Sequence, residues 1–362
     1  MTFTNSTHEQ TTAQQTTAQQ TTQADELPRF DPNGAKPLAD WAHTSQLLCC
    51  RVDPTGTYVV AGGIDHTLQR WEIATGVKST LIGHANWIRS LDFSPDGKRL
   101  YSGSYDGRWI TWDIASAKPE PLRIVDAHRG WLRSLDVSPD GQRIVTCGND
   151  RLVKLWSTDD GQQIGQWSGH PNIPYCVLFV PQTDKTLSGD VVSGDVVGNV
   201  YHWPGEQANS QVANPSRKFD ASELFFHIGD IAPFGGIVNM AFSPDGKKLT
   251  VTGLHQCTNA PAGNRRAVAL SFDWQTGEKL PKQECLTKEI DATMWRAIYH
   301  PSGTIIGILE KQIAFWHSGS PDAFHLAATP SEIFDCDLHP NQIDLYTAHF
   351  DGHVRSTRLG SL

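Results

Sequence analysis

In the stretch Gly83–Asp113, "GHANWIRSLDFSPDGKRLYSGSYDGRWITWD", an imidazole, a hydroxyl and a carboxylate stand at His84, Ser102 and Asp106. These three groups are the inventory of a hydrolytic triad, in which the imidazole takes the hydroxyl proton and the acid orients the ring. They are equally the inventory of a buried strut, because a hydroxyl both gives and accepts and an imidazole bridges two oxygens. Repetition decides between the two. From His43, His84 and His128, the positions 18, 22 and 28 residues on are Ala61, Asp65, Trp71; Ser102, Asp106, Trp112; and Thr146, Asp150, Trp156. An active site has little reason to occur three times, and Ala61 deletes the nucleophile from one copy while leaving the rest in place. The groups are therefore read as structural tetrads, His84–Ser102–Asp106–Trp112 and His128–Thr146–Asp150–Trp156. No residue is assigned a catalytic, cofactor or metal role. In a fourth copy, the tandem duplication "SGDVVSGDVV" at Ser188–Val197 brings His170 into step with Ser193 and Trp203, and the acid is expected to be lost to Val197.

The elements that carry these groups also repeat. Ser-Pro-Asp-Gly occurs at Ser94–Gly97, Ser138–Gly141 and Ser243–Gly246, with degenerate copies at Asp53, Val180, His300 and His339. The seven prolines, Pro54, Pro95, Pro139, Pro181, Pro244, Pro301 and Pro340, are separated by 41, 44, 42, 63, 57 and 39 residues. Before each proline lies an alternating apolar segment such as "IRSLDFS", which reads as a half-buried strand. The turn follows, with proline presetting φ and glycine taking a conformation that a side chain resists. A second strand, a turn and a third strand ending in Trp come next, and a fourth such as "PLRIVDAH" leads to the next unit. Four short antiparallel strands cannot cover both of their faces, so the units must stack.

Gly83–His84, Gly169–His170, the Asp-x5-Trp spacing and Trp112–Asp113 together resemble the Trp-Asp (WD) repeat family of β-propellers. The resemblance covers about residues 36 to 358. It is close in the first three units; later units keep parts of the third-strand signature, Trp274, Glu310 with Trp316, and Asp351 without a tryptophan. It implies an all-β, seven-bladed β-propeller of four-stranded antiparallel blades. It also implies a ring closed by an N-terminal strand, "AKPLADWAH" from Ala35, joining the last blade and removing the free sheet edge.

If the tetrads are framework, function falls to the loops. In the family, the loops before the first strand and between the second and third strands share one face of the disc, which ligands commonly use. Carried over, the positions on that face are Trp87, Arg89, Tyr105, Trp131, Arg133, Asn149, Tyr175, Trp295, Phe334 and Phe350. Aromatics with arginine are the composition of interaction hot spots. The expected partner is another protein, bound through an acidic or aromatic segment by a monomeric propeller within a complex. The rival is an enzyme or cofactor-binding propeller working at the channel mouth. Against it, the inner strands are read as carrying no repeated acid or histidine and the loops as having no phosphate cradle.

Lys plus Arg is 30 against Asp plus Glu 39, a net charge of −9, which disfavours nucleic acid. No apolar run approaches a membrane span, the first residues do not resemble a secretory signal, and the seven scattered cysteines read as reduced thiols. A cytoplasmic protein without cofactor is the expectation. Residues 1–30, with "TTAQQTTAQQTTQ", read as a disordered Thr/Gln-rich tail before a single propeller at 31–362. Two longer spacings mark insertions: Leu254–Arg266, where His255 and Cys257 are too few for a metal site, and Gly205–Ala221, read as a polar mobile excursion.

Overall fold

The Ser-Pro-Asp-Gly turn shows how the sequence sets each blade. Ser94 Oγ donates to Asp96 Oδ1 at 2.7 Å and accepts from Arg99 N at 2.9 Å, while Gly97 N reaches Ser94 O at 2.8 Å with Gly97 at φ +70°. Ser243 repeats the pattern with Asp245 and Lys248. Where histidine replaces the serine, a ring nitrogen becomes the acceptor. His300 Nδ1 accepts from Ser302 N at 3.1 Å, and His339 Nδ1 from Asn341 N at 3.0 Å.

The computed structural model describes residues 1, 29–182, 189–208, 214–226, 234–255, 266–281, 283–284 and 292–361. Seven four-stranded antiparallel sheets stand in sequence around a central channel. Blade 2 is typical, with strands Ile88–Phe93, Arg99–Ser104, Arg108–Asp113 and Pro121–Asp126 ordered from channel to rim. The ring closes as the resemblance implied. Lys36–Ala42 pairs with His353–Arg358 and becomes the outer strand of blade 7, whose other strands are Asp344–His349 and Ile333–Leu338. Arg29–Phe30 adds a short pairing with Gly360–Ser361. Residues 2–28, and with them nearly all of the expected tail, lie outside the described residues, as do Cys257 and the side chain of His255.

Strand register defines one core position on the third strand of every blade. Trp71, Trp112, Trp156, Trp203, Phe272, Trp316 and Thr357 all sit opposite equivalent second-strand residues. Two expectations need correction here. In blade 5 the indole's register is held by Phe272, and Trp274 lies two residues beyond it, stacked on Phe219. In the Gly205–Ala221 stretch, Gly205–Gln207 forms a 3-10 turn and Arg217–Asp220 is the outer strand of blade 4, because this polar segment is what completes that sheet. In blade 7 the aromatic is absent. A groove of about 480 Å³ lies there between blades 6 and 7, lined by Thr357, Ala39, Ala327 and Ala328 among others.

The tetrads are continuous hydrogen-bonded chains. Trp112 Nε1 donates to Ser102 Oγ at 2.8 Å, Ser102 Oγ lies 2.7 Å from His84 Nε2, and His84 Nδ1 lies 2.9 Å from Asp106 Oδ2. Blade 3 repeats this with Trp156, Thr146, His128 and Asp150 at 2.9, 2.8 and 2.8 Å. The side chains of His84 and His128 have no solvent exposure, and neither do Ser102 and Thr146. A hydroxyl sealed in this way has no room for a substrate carbonyl. Blade 1 keeps His43 on Asp65 at 2.8 Å, through Nε2, with Ala61 in the hydroxyl's place. In blade 4 the acid is present after all: His170 Nδ1 pairs with Asp195 Oδ2 at 3.1 Å. Asp195 sits two residues before Val197 and reaches the ring from the end of the second strand. Blade 7 builds a shorter version, Thr347 Oγ1 on His349 Nε2 at 2.8 Å.

The innermost strands have a free edge facing the channel, whose N–H groups need acceptors. Side chains of the neighbouring blade supply them. Asp92 Oδ2 accepts from Val137 N and Asp136 Oδ2 from Phe179 N, both at 2.7 Å, and Asp337 Oδ2 accepts from Val52 N at 2.9 Å. Two residues earlier on the same strands, Ser90 accepts from Leu135 N at 3.0 Å and Asp335 from Cys50 N at 3.1 Å. Asn239 does the same for Ala297 N at 3.1 Å. Blades are thus tied to one another by side-chain acceptors as well as by apolar packing.

The tetrads lead to two stability predictions. Ser102→Ala leaves both an indole N–H and an imidazole nitrogen unsatisfied in the core, at a cost of about 2–4 kcal/mol. Trp112→Phe removes the indole donor and leaves Ser102 Oγ on His84, so it should cost less. Thermal unfolding should rank wild type above Trp112→Phe above Ser102→Ala; the reverse order of the two variants would show that packing, not the network, dominates. The second prediction concerns acid. His349 is pushed down to about 4, by burial first and then by the Arg355 guanidinium. An unfolded imidazole titrates near pH 6.5, so between about pH 6.5 and 4 the unfolded chain binds a proton that the folded chain refuses. Stability is full above that window and drops as pH falls through it. From pH 7.5 to 5, urea unfolding should show a loss of about 2 kcal/mol from this group, and His349→Gln should flatten the slope by that amount.

Candidate functional site

The loops after the histidines and between the second and third strands do share one face, and nine of the ten sequence-predicted residues divide there into two clusters. Across blades 2 to 4, Trp87 stacks on Tyr105 at 6.1 Å and Tyr105 on Trp131 at 4.4 Å, the latter within 4° of parallel. The Arg133 guanidinium lies over Tyr175 at 4.2 Å, Trp131 at 4.5 Å and Tyr105 at 5.0 Å. Its Nε donates to Asn149 Oδ1 at 2.7 Å and its Nη1 to Tyr105 Oη at 3.1 Å. Across blades 6 and 7, Trp295 meets Phe334 edge-on at 5.6 Å and Phe334 meets Phe350 at 6.1 Å. Trp87, Trp131 and Phe350 are exposed by 44, 43 and 44%, far more than the half-buried aromatics below them.

The structure places Arg89 apart from both clusters. Its guanidinium reaches across to blade 1 and donates to Leu48 O at 3.2 Å. It does not bond to Asp92, nor Arg133 to Asp136, so neither arginine is tied up by the acid nearest in sequence.

Between the clusters opens a cavity of about 310 Å³ that runs into the channel, lined by Arg89, Arg133, Tyr105, Tyr175, Trp295 and Phe334 at the mouth and by charged groups below. These deeper groups were missed by sequence reasoning. Arg51 Nη1 bonds Asp335 Oδ2 at 2.8 Å, and Arg296 Nε lies 3.1 Å from Asp335 Oδ1. The reading that inner strands carry no repeated acid is overturned, since Asp92, Asp136 and Asp337 occupy one position, three residues before the proline, in blades 2, 3 and 7. Their repetition serves the neighbouring blades' free N–H groups. The signal was in the sequence as the paired "SLD" of two units and "DCD" of another, on a strand whose second edge faces the channel.

Electrostatics separates these acids. Burial lifts Asp335, but the guanidinium groups of Arg296, Arg51 and Arg89 more than reverse it and hold the carboxyl below its ordinary range. Burial, then the Asp92 carboxyl beside it, pushes Asp136 well up. Asp92 and Asp337 are likewise raised by burial despite Arg51. Among the described residues no three His, Cys, Asp or Glu side chains come together to hold a metal ion. The five described cysteines, Cys49, Cys50, Cys147, Cys176 and Cys336, are buried free thiols. No described helix is long and apolar enough to cross a membrane.

The WD domain, G-beta repeat, family matches residues 35–72, 76–113 and 119–157. Each match opens on the outer strand of one blade and ends on the third strand of the next, the offset that closes the ring. An uncharacterized WD repeat-containing protein of Schizosaccharomyces pombe is 30% identical over 156 residues, 40% of this chain and 42% of that protein. The nuclear distribution protein nudF of Emericella nidulans is 36% identical over 83 residues, 22% of this chain and 19% of its own. The pre-mRNA-splicing factor cwf17 of S. pombe is 32% identical over 83 residues, 22% of this chain and 24% of its own. The chain thus spans less than half the length of each of these relatives. Taken with seven four-stranded sheets, these matches show that the chain carries WD repeats in residues 35–157 and folds as a seven-bladed β-propeller.

Proposed function

We infer that this chain is a non-enzymatic interaction scaffold, which holds a partner protein on the loop face around the channel mouth. One observation carries the reading: Trp87, Tyr105 and Trp131 form a stacked platform capped by Arg133, with its two tryptophans open to solvent at the rim of a cavity. Large rigid aromatics lose little entropy on binding, and a guanidinium held over them is already oriented. A segment with acidic and aromatic side chains fits such a surface, its rings on the platform and its acids toward Arg89 and Arg133. The sealed tetrads support a scaffold over a catalyst. The names of two of the relatives point to nuclear distribution and splicing, processes rather than catalysed reactions. A cytoplasmic monomer acting within a larger complex completes the reading.

The test separates binding from folding. Trp87→Ala with Trp131→Ala alters only exposed rings, and adding Arg89→Gln and Arg133→Gln removes the cationic half. Affinity capture read by mass spectrometry should recover a specific set of proteins with wild type, lose most of it with the double variant and all of it with the fourfold variant. Each exposed ring is expected to be worth about tenfold or more in affinity. Unchanged capture by a folded fourfold variant would move the interaction to another surface.

A further inference from the structure

Four arginines, Arg51, Arg89, Arg133 and Arg296, line the cavity below the platform. Four aspartates, Asp92, Asp136, Asp335 and Asp337, line it with them. Asp335 pairs with Arg51 and Arg296, while Asp92, Asp136 and Asp337 each commit an oxygen to a neighbouring blade's N–H group, and the bonds of Arg89 and Arg133 go to a carbonyl, an amide and a phenol rather than to a carboxylate. Two donors on one wall are also open. Trp295 Nε1 is buried without a hydrogen-bond partner, and Arg296 Nε, at ion-pair distance from Asp335, meets it at an angle that makes no hydrogen bond. Buried donors left open are costly, and an incoming acceptor relieves that cost. Arg89, with its single 3.2 Å bond to a carbonyl, has further donors to give in the cavity that it lines together with them.

We propose that the channel mouth is an oxyanion site, in which Arg89, Arg296 and the Trp295 indole N–H take one carboxylate or phosphate group carried by the docked segment. The proposal rests on the scaffold reading above and adds the chemistry of the anchoring group. The platform takes the segment's rings, and the cavity, wide enough for one side chain, takes its charged tip. Guanidinium and indole donors around one oxygen-rich group in a half-enclosed space form stronger bonds than the same donors in water.

Free anions test the site without the partner. The full chain is titrated with sodium phosphate and, separately, sodium acetate, at ionic strength held constant with sodium chloride, while the melting temperature and tryptophan fluorescence are followed. A filled site raises the melting temperature by about 2 °C at tenfold saturation, with a saturable fluorescence change. Saturation by phosphate alone assigns a phosphorylated residue, and saturation by acetate as well assigns an acidic side chain or chain terminus. Both effects should vanish in Arg89→Gln and in Trp295→Phe, two substitutions that break no short bond, checked for folding in chloride. A linear, non-saturating rise that persists in both variants is general salting-out and overturns the proposal. If anions saturate the site but the fourfold variant still captures its partner, the scaffold reading at this face fails and the site stands. If capture is lost and no anion saturates, the reverse holds.

Discussion

The free edge of the innermost strand is the constraint on which the ring depends. Each blade is a sheet with two edges. The outer one faces solvent, where water satisfies it, but the inner one faces a narrow channel crowded with six other strands. An unpaired N–H there costs as much as a lost hydrogen bond. The answer in this chain is an acceptor side chain at fixed distances before the turn: serine, asparagine or aspartate five residues before the proline, aspartate three before it. That solution forces carboxylates into a buried place, and burial then raises their pKa. The arginines follow as partners for the acid that stays charged, Asp335, which joins blades 6, 7 and 1 through Arg296, Arg51 and Cys50 N. What began as backbone satisfaction ends as a charged channel.

Framework groups and the aromatic platform are kept on different residues of the same loops. His84 and Asp106 lie in the two loops that also present Trp87 and Tyr105, yet the first pair is sealed and the second pair meets solvent. The imidazole pins one loop to the other, so the ring three residues after His84 and the ring just before Asp106 are held in register. Stacking of Tyr105 on Trp131 then links blade 2 to blade 3 across the face. A platform made in this way is rigid before anything lands on it, which lowers the entropic cost of association.

Much of this was legible in the sequence because it repeats. Turn prolines 39 to 44 residues apart, widened to 63 and 57 at two insertions, counted out the blades, and equal offsets marked the tetrads, since any buried network with the same geometry needs the same residue types at the same places. Legibility failed where a role was filled from a different position. Asp195 replaces an acid whose slot, by spacing, falls on Val197, because a carboxylate at the strand end reaches the same imidazole as one in the turn. Phe272 was passed over in favour of Trp274, because the tryptophan is the more conspicuous letter while only register decides which ring enters the core. The channel acids were overlooked because an aspartate on an alternating strand reads as solvent-facing, and no local pattern tells water from a channel wall. Arg51 and Arg296 were invisible for the same reason.

Net charge and local charge pull in opposite directions at the mouth, and distance decides between them. At physiological ionic strength the Debye length is about 8 Å, so an acidic segment approaching from solution senses the −9 of the whole chain weakly. Within a few ångströms of the rim it senses Arg89 and Arg133, and in the cavity the field is strengthened by low-dielectric walls of tyrosine, tryptophan and phenylalanine. Long-range repulsion with short-range attraction selects against ligands that are merely anionic. A long polyanion meets the repulsion along its whole length and gains at one point. A short segment with a single well-placed acid among aromatic neighbours gains the same contact with little of the opposing term. Under the proposed reading the surface selects by geometry, the aromatic platform setting where a segment would lie and the arginines admitting the one charge that would reach the channel.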